Sequence, residues 1–460
     1  MAAQQSKAAQ TTPWQRQRPA TPALRLVLGL VVLVVLGTFA LILPFEGREH
    51  PLSWNEALFT ATSALTVTGL SIITPGSDLS IYGQLALLLL IQMGGVGFMV
   101  VAVVVLRLLG RRIRLTDRLA LSDSLGLLAP AAIVRLTMRV LLIVLLLEGL
   151  GALLLFLHWR NDPRLTEGQA AFYAIFHAVS AFCNAGFDLF SGTPGYPDGI
   201  PRDNLSLIIL GSLIFLGGLG IPVLAELFTF WRIRHFSLHT RITMRVVIFL
   251  LLFGAINIAL AESRQGATLD AEPLPRLALI SLFQSISART AGFAGIADFT
   301  ALSPATMLVL IILMFIGCAP ASMGGGITTG TFAALTISLW SFARGQQQAQ
   351  FGGRTLAVGT MRKAAAVLTI SLFVVCLAIW LILMTHDAPF DLVTFEVVSA
   401  FATCGLTMGM TSELNLFGQM VICFVMFWGR LGALTIIVAI ARSSSRPDVL
   451  HYPEEQILIG

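Results

Sequence analysis

Four short segments of this chain decide its fold. They read Thr66-Val67-Thr68-Gly69-Leu70, Cys183-Asn184-Ala185-Gly186-Phe187, Arg289-Thr290-Ala291-Gly292-Phe293 and Thr403-Cys404-Gly405-Leu406. Each consists of small or polar residues, then a glycine, then a bulky apolar residue. Successive glycines are 117, 106 and 113 residues apart. A unit of roughly 110 residues is therefore repeated four times along the chain.

A short apolar stretch precedes each segment, at residues 54–65, 169–182, 275–288 and 389–402. A helix of about 14 residues is only about 21 Å long, whereas the hydrocarbon core of a bilayer is about 30 Å thick. One such stretch alone would be more typical of a helix lying on the membrane surface. Because the pattern occurs four times, we interpret each stretch as a half-helix that enters the membrane and ends inside it.

Composition places most of the chain in lipid. Of its 460 residues, 56% are hydrophobic and 12% are charged, compared with about 25% charged in a typical soluble domain. Eight longer apolar segments could span a membrane, at residues 26–43, 80–106, 133–157, 205–230, 243–261, 301–342, 363–385 and 415–441. The predicted fold class is an all-α polytopic membrane protein with four span–pore-helix–span repeats, eight transmembrane segments in all, arranged pseudo-fourfold around one pore.

The positions of the basic residues predict the orientation. Residues 1–25, 107–139, 232–245, 344–363 and the C-terminal tail hold 21 of the 29 Lys and Arg residues, and the loops on the other side hold six. By the positive-inside rule both termini are cytoplasmic, and the half-helices enter from outside. The five cysteines all lie in apolar context, so no disulfide framework is predicted.

A second landmark recurs downstream of each loop glycine, inside the second span of the repeat. It is a cluster of small residues: Gly94-Gly95-Val96-Gly97, Gly217-Gly218-Leu219-Gly220, Gly317-Cys318-Ala319 and Gly429-Arg430-Leu431-Gly432. The offsets from the loop glycine are 25, 31, 25 and 24 residues. One cluster would be ordinary packing between helices. Two landmarks that keep step through four repeats indicate a common architecture.

This arrangement is typical of a cation pathway. Irregular backbone is tolerated at membrane depth only where protein or a water-filled cavity surrounds it. Four loops around one axis would present rings of carbonyl oxygens that can replace the hydration shell of an alkali ion. The half-helices would point their partially negative ends inward, which favours a cation. The loop positions hold no Asp or Glu.

With these segments the chain resembles the membrane subunit of Ktr-type potassium uptake systems, in the Trk/Ktr/HKT superfamily. The resemblance covers residues 24–460, and the eight predicted spans favour the Ktr type over the Trk type. It implies an ion-binding filter made of Thr66, Val67, Thr68, Gly69, Asn184, Ala185, Gly186, Thr290, Ala291, Gly292, Thr403, Cys404 and Gly405. Superfamily members with serine at the first glycine tend to conduct sodium. Gly69 therefore implies selectivity for K⁺, bound at filter residues only.

The second span of the third repeat contains a break. Residues 317–330 include a proline and five glycines, which disrupt a helix. The segment resembles the intramembrane gating loop of the family, with Gly324, Gly325, Gly326 and Thr328 as gate residues. Thr328 replaces the basic residue that the family often has there. A kinked helix is the alternative interpretation.

Arg430 lies in an otherwise uncharged stretch of the last span. A lone arginine at membrane depth is expensive and usually faces a cavity or a partner. We hypothesise that Arg430 acts with the intramembrane loop as a barrier to the ion. Arg289 precedes the third glycine, and we expect it to brace that loop through an ion pair. For Glu148 a hydrogen-bonded packing role is favoured over proton coupling, and for His177 packing within its half-helix.

The repeat pattern divides the chain into six parts. They are a disordered cytoplasmic tail (1–22), repeat 1 (23–110), repeat 2 (111–235), repeat 3 with the broken loop (236–345), repeat 4 (346–442) and a C-terminal cytoplasmic tail (443–460). The family resemblance implies a homodimer on a separate cytosolic ring that binds ATP or ADP. The loops at 107–118 and 340–363 are the expected docking surface, and the C-terminal tail is expected at the dimer interface.

The chain itself is expected to bind no cofactor and no nucleic acid, to contact membrane lipid and to lie in the plasma membrane. Na⁺ could activate transport or drive it, and the sequence does not distinguish these roles. A secondary carrier with broken helices is one alternative, although carriers usually show two inverted repeats. A sodium-conducting member of the same superfamily is another. We do not expect an enzyme, since the loops hold no plausible hydrolytic triad or metal cluster and no nucleotide-binding fingerprint is present.

Overall fold

A computed structural model describes residues 22–43, 52–97, 133–193, 195–196 and 199–432. The expectations for the N-terminal tail, the loop at 107–118 and the C-terminal tail lie outside these residues. Within them the chain is almost wholly helical. The one sheet described is a two-stranded antiparallel hairpin, β1 (Gln350–Phe351) with β2 (Arg354–Thr355).

The helices follow the repeat pattern in chain order. Repeat 1 holds α1 (Pro22–Ile42), α2 (Trp54–Thr66), the single turn α3 (Pro75–Asp78) and α4 (Ile81–Val96). Repeat 2 holds α5 (Ile133–Trp159), α6 (Glu167–Phe182), α7 (Asn204–Gly218) and α8 (Ile221–Ile233). Repeat 3 holds α9 (Leu238–Glu262), α10 (Leu274–Ser287), α11 (Pro304–Ile316) and α12 (Thr329–Ala343). Repeat 4 holds α13 (Val358–Leu383), α14 (Phe390–Ala402) and α15 (Leu416–Leu431).

The predicted half-helices are α2, α6, α10 and α14, and their inner portions are buried. The helix that follows each loop begins at a side-chain cap, because an isolated helix start leaves backbone donors unpaired. Ser80, Asp203, Ser303 and Asn415 each accept a hydrogen bond from the backbone N–H three residues on. This cap therefore recurs at the same place in all four repeats.

Three described helices are long and apolar enough to cross a membrane: Leu141–Trp159, Leu238–Glu262 and Val358–Leu383. Large apolar side chains on them, such as Leu142, Phe249 and Phe373, are exposed, as expected where lipid replaces water. Five apolar helices are shorter, namely Val27–Ile42, Ile81–Val96, Pro304–Ile316, Thr329–Ala343 and Leu416–Leu431. The predicted spans 80–106 and 415–441 continue beyond the described residues.

The structure breaks two of the predicted spans. The break between α11 and α12 lies in the predicted glycine-rich loop. The second lies between α7 and α8, which meet at 106°, so the prediction of one continuous span over 205–230 is wrong. Gly220 has φ +84°, a conformation that favours glycine, and Pro222 then stands in the first turn of α8.

Backbone groups at the two breaks form hydrogen bonds with each other. The Ala319 N–H donates to the carbonyl of Gly218 at 3.1 Å, and the Ile221 N–H donates to the carbonyl of Ala321 at 2.9 Å. A Cβ at Gly220 would lie 2.6 Å from the carbonyl oxygen of Pro320. Because buried backbone groups must be paired at membrane depth, the loop of repeat 3 requires the bend in repeat 2.

The small-residue clusters allow each second span to touch the last turn of its own half-helix. A Cβ at Gly94, Gly217 or Gly429 would lie 2.4, 1.9 or 1.9 Å from the carbonyl oxygens of Leu65, Phe182 and Phe401, respectively. In repeat 3 the thiol of Cys318 donates to the equivalent carbonyl, that of Arg289, at 2.8 Å. These contacts explain why the clusters keep step with the loops.

Gly217→Ala should destabilise the folded protein, because the new methyl group would overlap a backbone oxygen that cannot rotate away. Overpacking of a tight interior costs about 1–3 kcal/mol, and this contact should lie at the upper end. The measurement is the thermal unfolding midpoint of the purified protein in detergent. Gly149→Ala is the matched control, since Gly149 is an exposed helical glycine with no atom of the described residues within 4 Å of its Cβ position. An unchanged midpoint for Gly217→Ala would contradict the packing argument.

Candidate functional site: the ring of glycine loops

A residue with left-handed backbone lies at or just beyond the end of each half-helix. These residues are Val67, Asn184, Thr290 and Thr403, with φ of 58°, 57°, 82° and 50°. Each stands two residues before the loop glycine. Left-handed backbone is costly for residues with a Cβ, above all for β-branched ones. It occurs here at the same position in all four repeats, two residues before the loop glycine.

The four loops meet in a closed ring. A Cβ at Gly69, Gly186, Gly292 or Gly405 would lie 2.3, 2.6, 2.4 or 2.2 Å from the carbonyl oxygens of Ala185, Ala291, Cys404 and Thr68, respectively. Each glycine thus abuts the carbonyl of the residue just before the glycine of the next repeat. The glycine of repeat 4 abuts the corresponding carbonyl of repeat 1, which closes the ring. The glycines have φ between +70° and +92°. Both the space and the backbone conformation require glycine here.

One serine in each half-helix holds its loop. The backbone carbonyls of Ser63, Ser180, Ser287 and Ser399 accept hydrogen bonds from the residue just before the glycine, at 2.7–2.8 Å. Their hydroxyls make a second contact with the loop: Ser63 and Ser399 accept from the N–H of Gly69 and Gly405, and Ser180 and Ser287 donate to the carbonyls of Phe187 and Phe293. We missed these serines in the sequence.

The serines correct the alignment of the repeats. If the repeats are aligned on their glycines, Arg289 corresponds to Cys183 of repeat 2. If they are aligned on their serines, Arg289 corresponds to Phe182, the residue whose carbonyl contacts the small-residue cluster. Repeat 3 is one residue shorter between serine and glycine. A search for a serine five or six residues before each glycine would have found this signal.

The accessible part of the ring is glycine backbone. The apolar residues after the glycines, Leu70, Phe187, Phe293 and Leu406, are buried. Within each predicted filter segment only the glycine is partly exposed, and its neighbours on both sides are buried. The carboxyl ends of four half-helices converge on the ring and add partial negative charge.

The broken loop of repeat 3 packs directly against this ring. A Cβ at Gly324 would lie 1.9 Å from Thr290 Oγ1, and one at Gly325 would lie 2.7 Å from Thr403 Oγ1. Gly326 has φ +77°. Thr328 caps α12, where its hydroxyl accepts from the N–H of Thr331. Two of the three predicted gate glycines, Gly324 and Gly325, therefore lie against predicted filter residues, whereas Thr328 caps the next helix.

Arg430 connects the loop to another repeat. Its guanidinium donates to the carbonyl of Met323 in the loop, to that of Gly94 and, at 3.3 Å, to that of Gly95. All three acceptors are backbone oxygens. Arg430 therefore ties the broken loop of repeat 3 to the end of α4, next to the contact between Gly94 and half-helix α2.

Three other polar residues have defined partners. Arg289 donates to the carbonyl of Gly317 at 2.8 Å, so a hydrogen bond to backbone replaces the ion pair that we expected. Glu148 accepts hydrogen bonds from Gln92 at 3.0 Å and from the thiol of Cys183 at 3.7 Å, and thereby links α5 to α4 and to the second loop. His177 contacts Asp188, beyond that same loop.

A family model described as "Cation transport protein", TrkH, matches residues 1–448. The chain therefore belongs to this family of cation transport proteins. It is 34% identical to Ktr system potassium uptake protein B of Bacillus subtilis, over 96% of this chain and 97% of that protein. It is 36% identical to the Ktr system potassium uptake protein B of Vibrio alginolyticus, over 89% of each.

Two further similarities extend this result. The chain is 31% identical to the potassium/sodium uptake protein NtpJ of Enterococcus hirae, over 96% of this chain and 97% of that protein. Among solved structures, that of the potassium transporter TrkH from Vibrio parahaemolyticus has the same fold. It superposes with a TM-score of 0.71 at 20% identity and covers 94% of this chain and 87% of that one. The resemblance inferred from the four segments is confirmed.

Gly186→Ala should lower cation flux at least tenfold. The added Cβ would lie 2.6 Å from the carbonyl oxygen of Ala291 at a backbone φ of +70°, so the carbonyl must move. The measurement is ion uptake per amount of folded protein in proteoliposomes. Gly168→Ala, at an exposed glycine of the same half-helix with open space around it, should retain the wild-type flux. Wild-type flux in Gly186→Ala would show that the ring tolerates a side chain.

Proposed function

We propose that this protein takes up K⁺ across the plasma membrane through a channel-like pore whose filter is the ring of four glycine loops. The observation that carries the proposal is the closed set of contacts in which each loop glycine abuts a carbonyl of the next repeat. Carbonyl oxygens held this way can substitute for the hydration shell of an alkali ion. The names of the Ktr relatives, which include potassium uptake, support K⁺ as the ion.

The proposed architecture has eight transmembrane segments in four repeats around one axis. The three long helices would be the first spans of repeats 2, 3 and 4, and α1 would be that of repeat 1. Within the described residues the second spans are shorter or broken, and each meets a half-helix or the broken loop. A secondary carrier remains the alternative, and a pore is favoured because the four loops follow one another around the ring in chain order.

The proposed gate is the broken loop of repeat 3 together with Arg430. Gly324 and Gly325 leave no room for a side chain next to Thr290 and Thr403, so an ion leaving the ring on this side would meet the loop. The positive charge of Arg430 opposes a cation at the same level. Opening would require the hydrogen bond between Arg430 and Met323 to break.

The Ktr relatives are named as parts of a system, which supports a regulatory partner. We propose a homodimer that docks on a cytosolic nucleotide-binding ring, with ATP or ADP bound by the ring and both termini of this chain cytoplasmic. The segment between α12 and α13, which carries the β1–β2 hairpin, Arg344 and Arg354, is one candidate docking surface, together with Arg362 and Lys363 in the first two turns of α13. The name of the Enterococcus hirae relative includes sodium, so Na⁺ is proposed as an activator, and a sodium-conducting pore is the second candidate function.

Uptake of ⁸⁶Rb⁺ tests this function. Cells that lack their own potassium uptake systems, given this chain and a matching cytosolic subunit, should accumulate ⁸⁶Rb⁺ and grow at low external K⁺. Purified protein in liposomes should also admit ⁸⁶Rb⁺ down a K⁺ gradient without an imposed Na⁺ or proton gradient, as a pore would. Dependence of liposome influx on a second ion gradient would favour the carrier. Failure of both assays with protein present in the membrane would contradict K⁺ uptake.

Arg430→Met should raise ion flux, because it removes the charge and the hydrogen bonds to Met323 and Gly94 while it keeps most of the side-chain volume. A hydrogen bond to a charged group contributes about 1.5–3 kcal/mol, so flux limited by the closed loop should rise about tenfold or more. Arg430→Lys keeps the charge and serves as the control, with flux near that of the wild type. Unchanged flux in Arg430→Met, at normal abundance in the membrane, would contradict the gate.

A further inference from the structure

A second set of polar side chains lies one helical turn before the four serines. Three residues before Ser63, Ser180, Ser287 and Ser399 stand Thr60, His177, Gln284 and Glu396. All four have 0% exposure. Because positions three apart lie on the same face of a helix, these side chains point the same way as the serines. An alignment of the repeats on their glycines does not bring these four positions into register, since repeat 3 is one residue shorter between its serine and its glycine.

In repeats 3 and 4 this side chain binds the segment that follows the loop glycine. Gln284 Oε1 accepts from the N–H of Gly295 at 2.9 Å. The carboxylate of Glu396 accepts from the hydroxyl of Thr407 at 2.8 Å and from that of Thr411. Gly295 is three residues beyond Gly292, and Thr407 is two beyond Gly405. Each bond therefore fixes the chain just past the ring.

In repeat 2 the same position holds His177, whose imidazole contacts its own half-helix and the chain beyond the loop. Its Nδ1 is 2.7 Å from the carbonyl oxygen of Tyr173. Its Nε2 is 2.9 Å from the Asp188 carboxylate and 3.3 Å from the backbone nitrogen of Leu189. Asp188 in turn accepts from the N–H groups of Phe190 and Ser191. His177 thus holds the turn just past Gly186.

Repeat 1 is the exception. The hydroxyl of Thr60 is buried and has no hydrogen-bond partner among the described residues. The segment beyond Gly69 is closed instead by Ser71, which donates to the carbonyl of Ile73 at 2.7 Å. The chain therefore contains three side chains that brace a loop and one at the equivalent position that does not.

Burial of a carboxylate, an imidazole and an amide in a membrane protein is costly unless their hydrogen bonds are made. A packing role alone would be met by an apolar residue, such as the neighbours Phe283 and Phe395. His177 Nε2, Gln284 Oε1 and the Glu396 carboxylate bind the chain beyond the glycine, whereas the serines bind nearer the glycine. The Nε2 of Gln284 has no partner among the described residues. The loops are therefore clamped at two levels.

We propose that His177, Gln284 and Glu396 are positioning residues that set the discrimination between K⁺ and Na⁺. The inference rests on the proposed potassium pore. Discrimination depends on how firmly the carbonyl ring keeps its size and its number of oxygens, whichever of the two dominates. A loop released on its outer side can relax inward around the smaller Na⁺. Removal of a brace should therefore admit Na⁺ without blocking K⁺.

The decisive comparison is Glu396→Leu against Glu396→Gln, with Thr60→Val as the matched control. Leucine is similar in size to glutamate and lacks both carboxylate oxygens that accept the two hydrogen bonds. Glutamine can accept from one threonine and donate to the oxygen of the other, so it should rescue. The measurement is the ratio of ⁸⁶Rb⁺ to ²²Na⁺ influx in proteoliposomes. Glu396→Leu should lower this ratio about tenfold, which corresponds to about 1.4 kcal/mol. Glu396→Gln and Thr60→Val should stay within about twofold of wild type.

The outcomes separate this inference from the function on which it rests. A wild-type protein that does not favour ⁸⁶Rb⁺ overturns the potassium pore and this inference together. A selective wild type with an unchanged ratio in Glu396→Leu overturns the positioning role alone, even if less of the variant folds, because the ratio does not depend on the amount. If Glu396→Leu does not reach the membrane, Gln284→Leu takes its place, and an unchanged ratio there likewise overturns the inference.

Discussion

Everything near the centre of this protein depends on four glycines that abut four carbonyl oxygens. The contacts leave no space for a Cβ, and the positive φ of each glycine would strain any other residue. Because each glycine belongs to one repeat and its carbonyl partner to the next, the ring forms only when all four loops are in place. The half-helices, the serines and the small-residue clusters all have positions that follow from this ring.

The membrane imposes a second constraint, which is that interrupted helices must find partners for their backbone groups. The loop of repeat 3 finds them in the bend between α7 and α8 and in the guanidinium of Arg430. This makes the third repeat depend on the second and the fourth. The proposed gate is accordingly held by hydrogen bonds from two neighbouring repeats, and Arg430 alone reaches three carbonyls.

The proposed function uses these same elements with little side-chain chemistry. The ring would supply oxygens, the half-helices would supply partial charge and Arg430 would supply the barrier. Side chains enter mainly as braces, and their identity differs between repeats: a histidine, an amide and a carboxylate stand at equivalent positions. Such variety is expected where the requirement is a hydrogen bond to the loop at a given depth rather than a particular reactive group.

Sequence alone located the loop glycines, the small-residue clusters and the break within 317–330, because each reflects a local requirement for glycine or small residues. It also placed Arg430 beside the proposed ion path, since a lone charge in an apolar span needs a partner. The bend at Gly220, the partners of Arg289 and Arg430 and the polar braces required the tertiary structure. Their cause is contact between repeats more than a hundred residues apart, or a one-residue difference in repeat 3 that hides the register. The local sequence pattern determined which positions need glycine or another small residue. Only the tertiary packing decided which group lies against each of these positions.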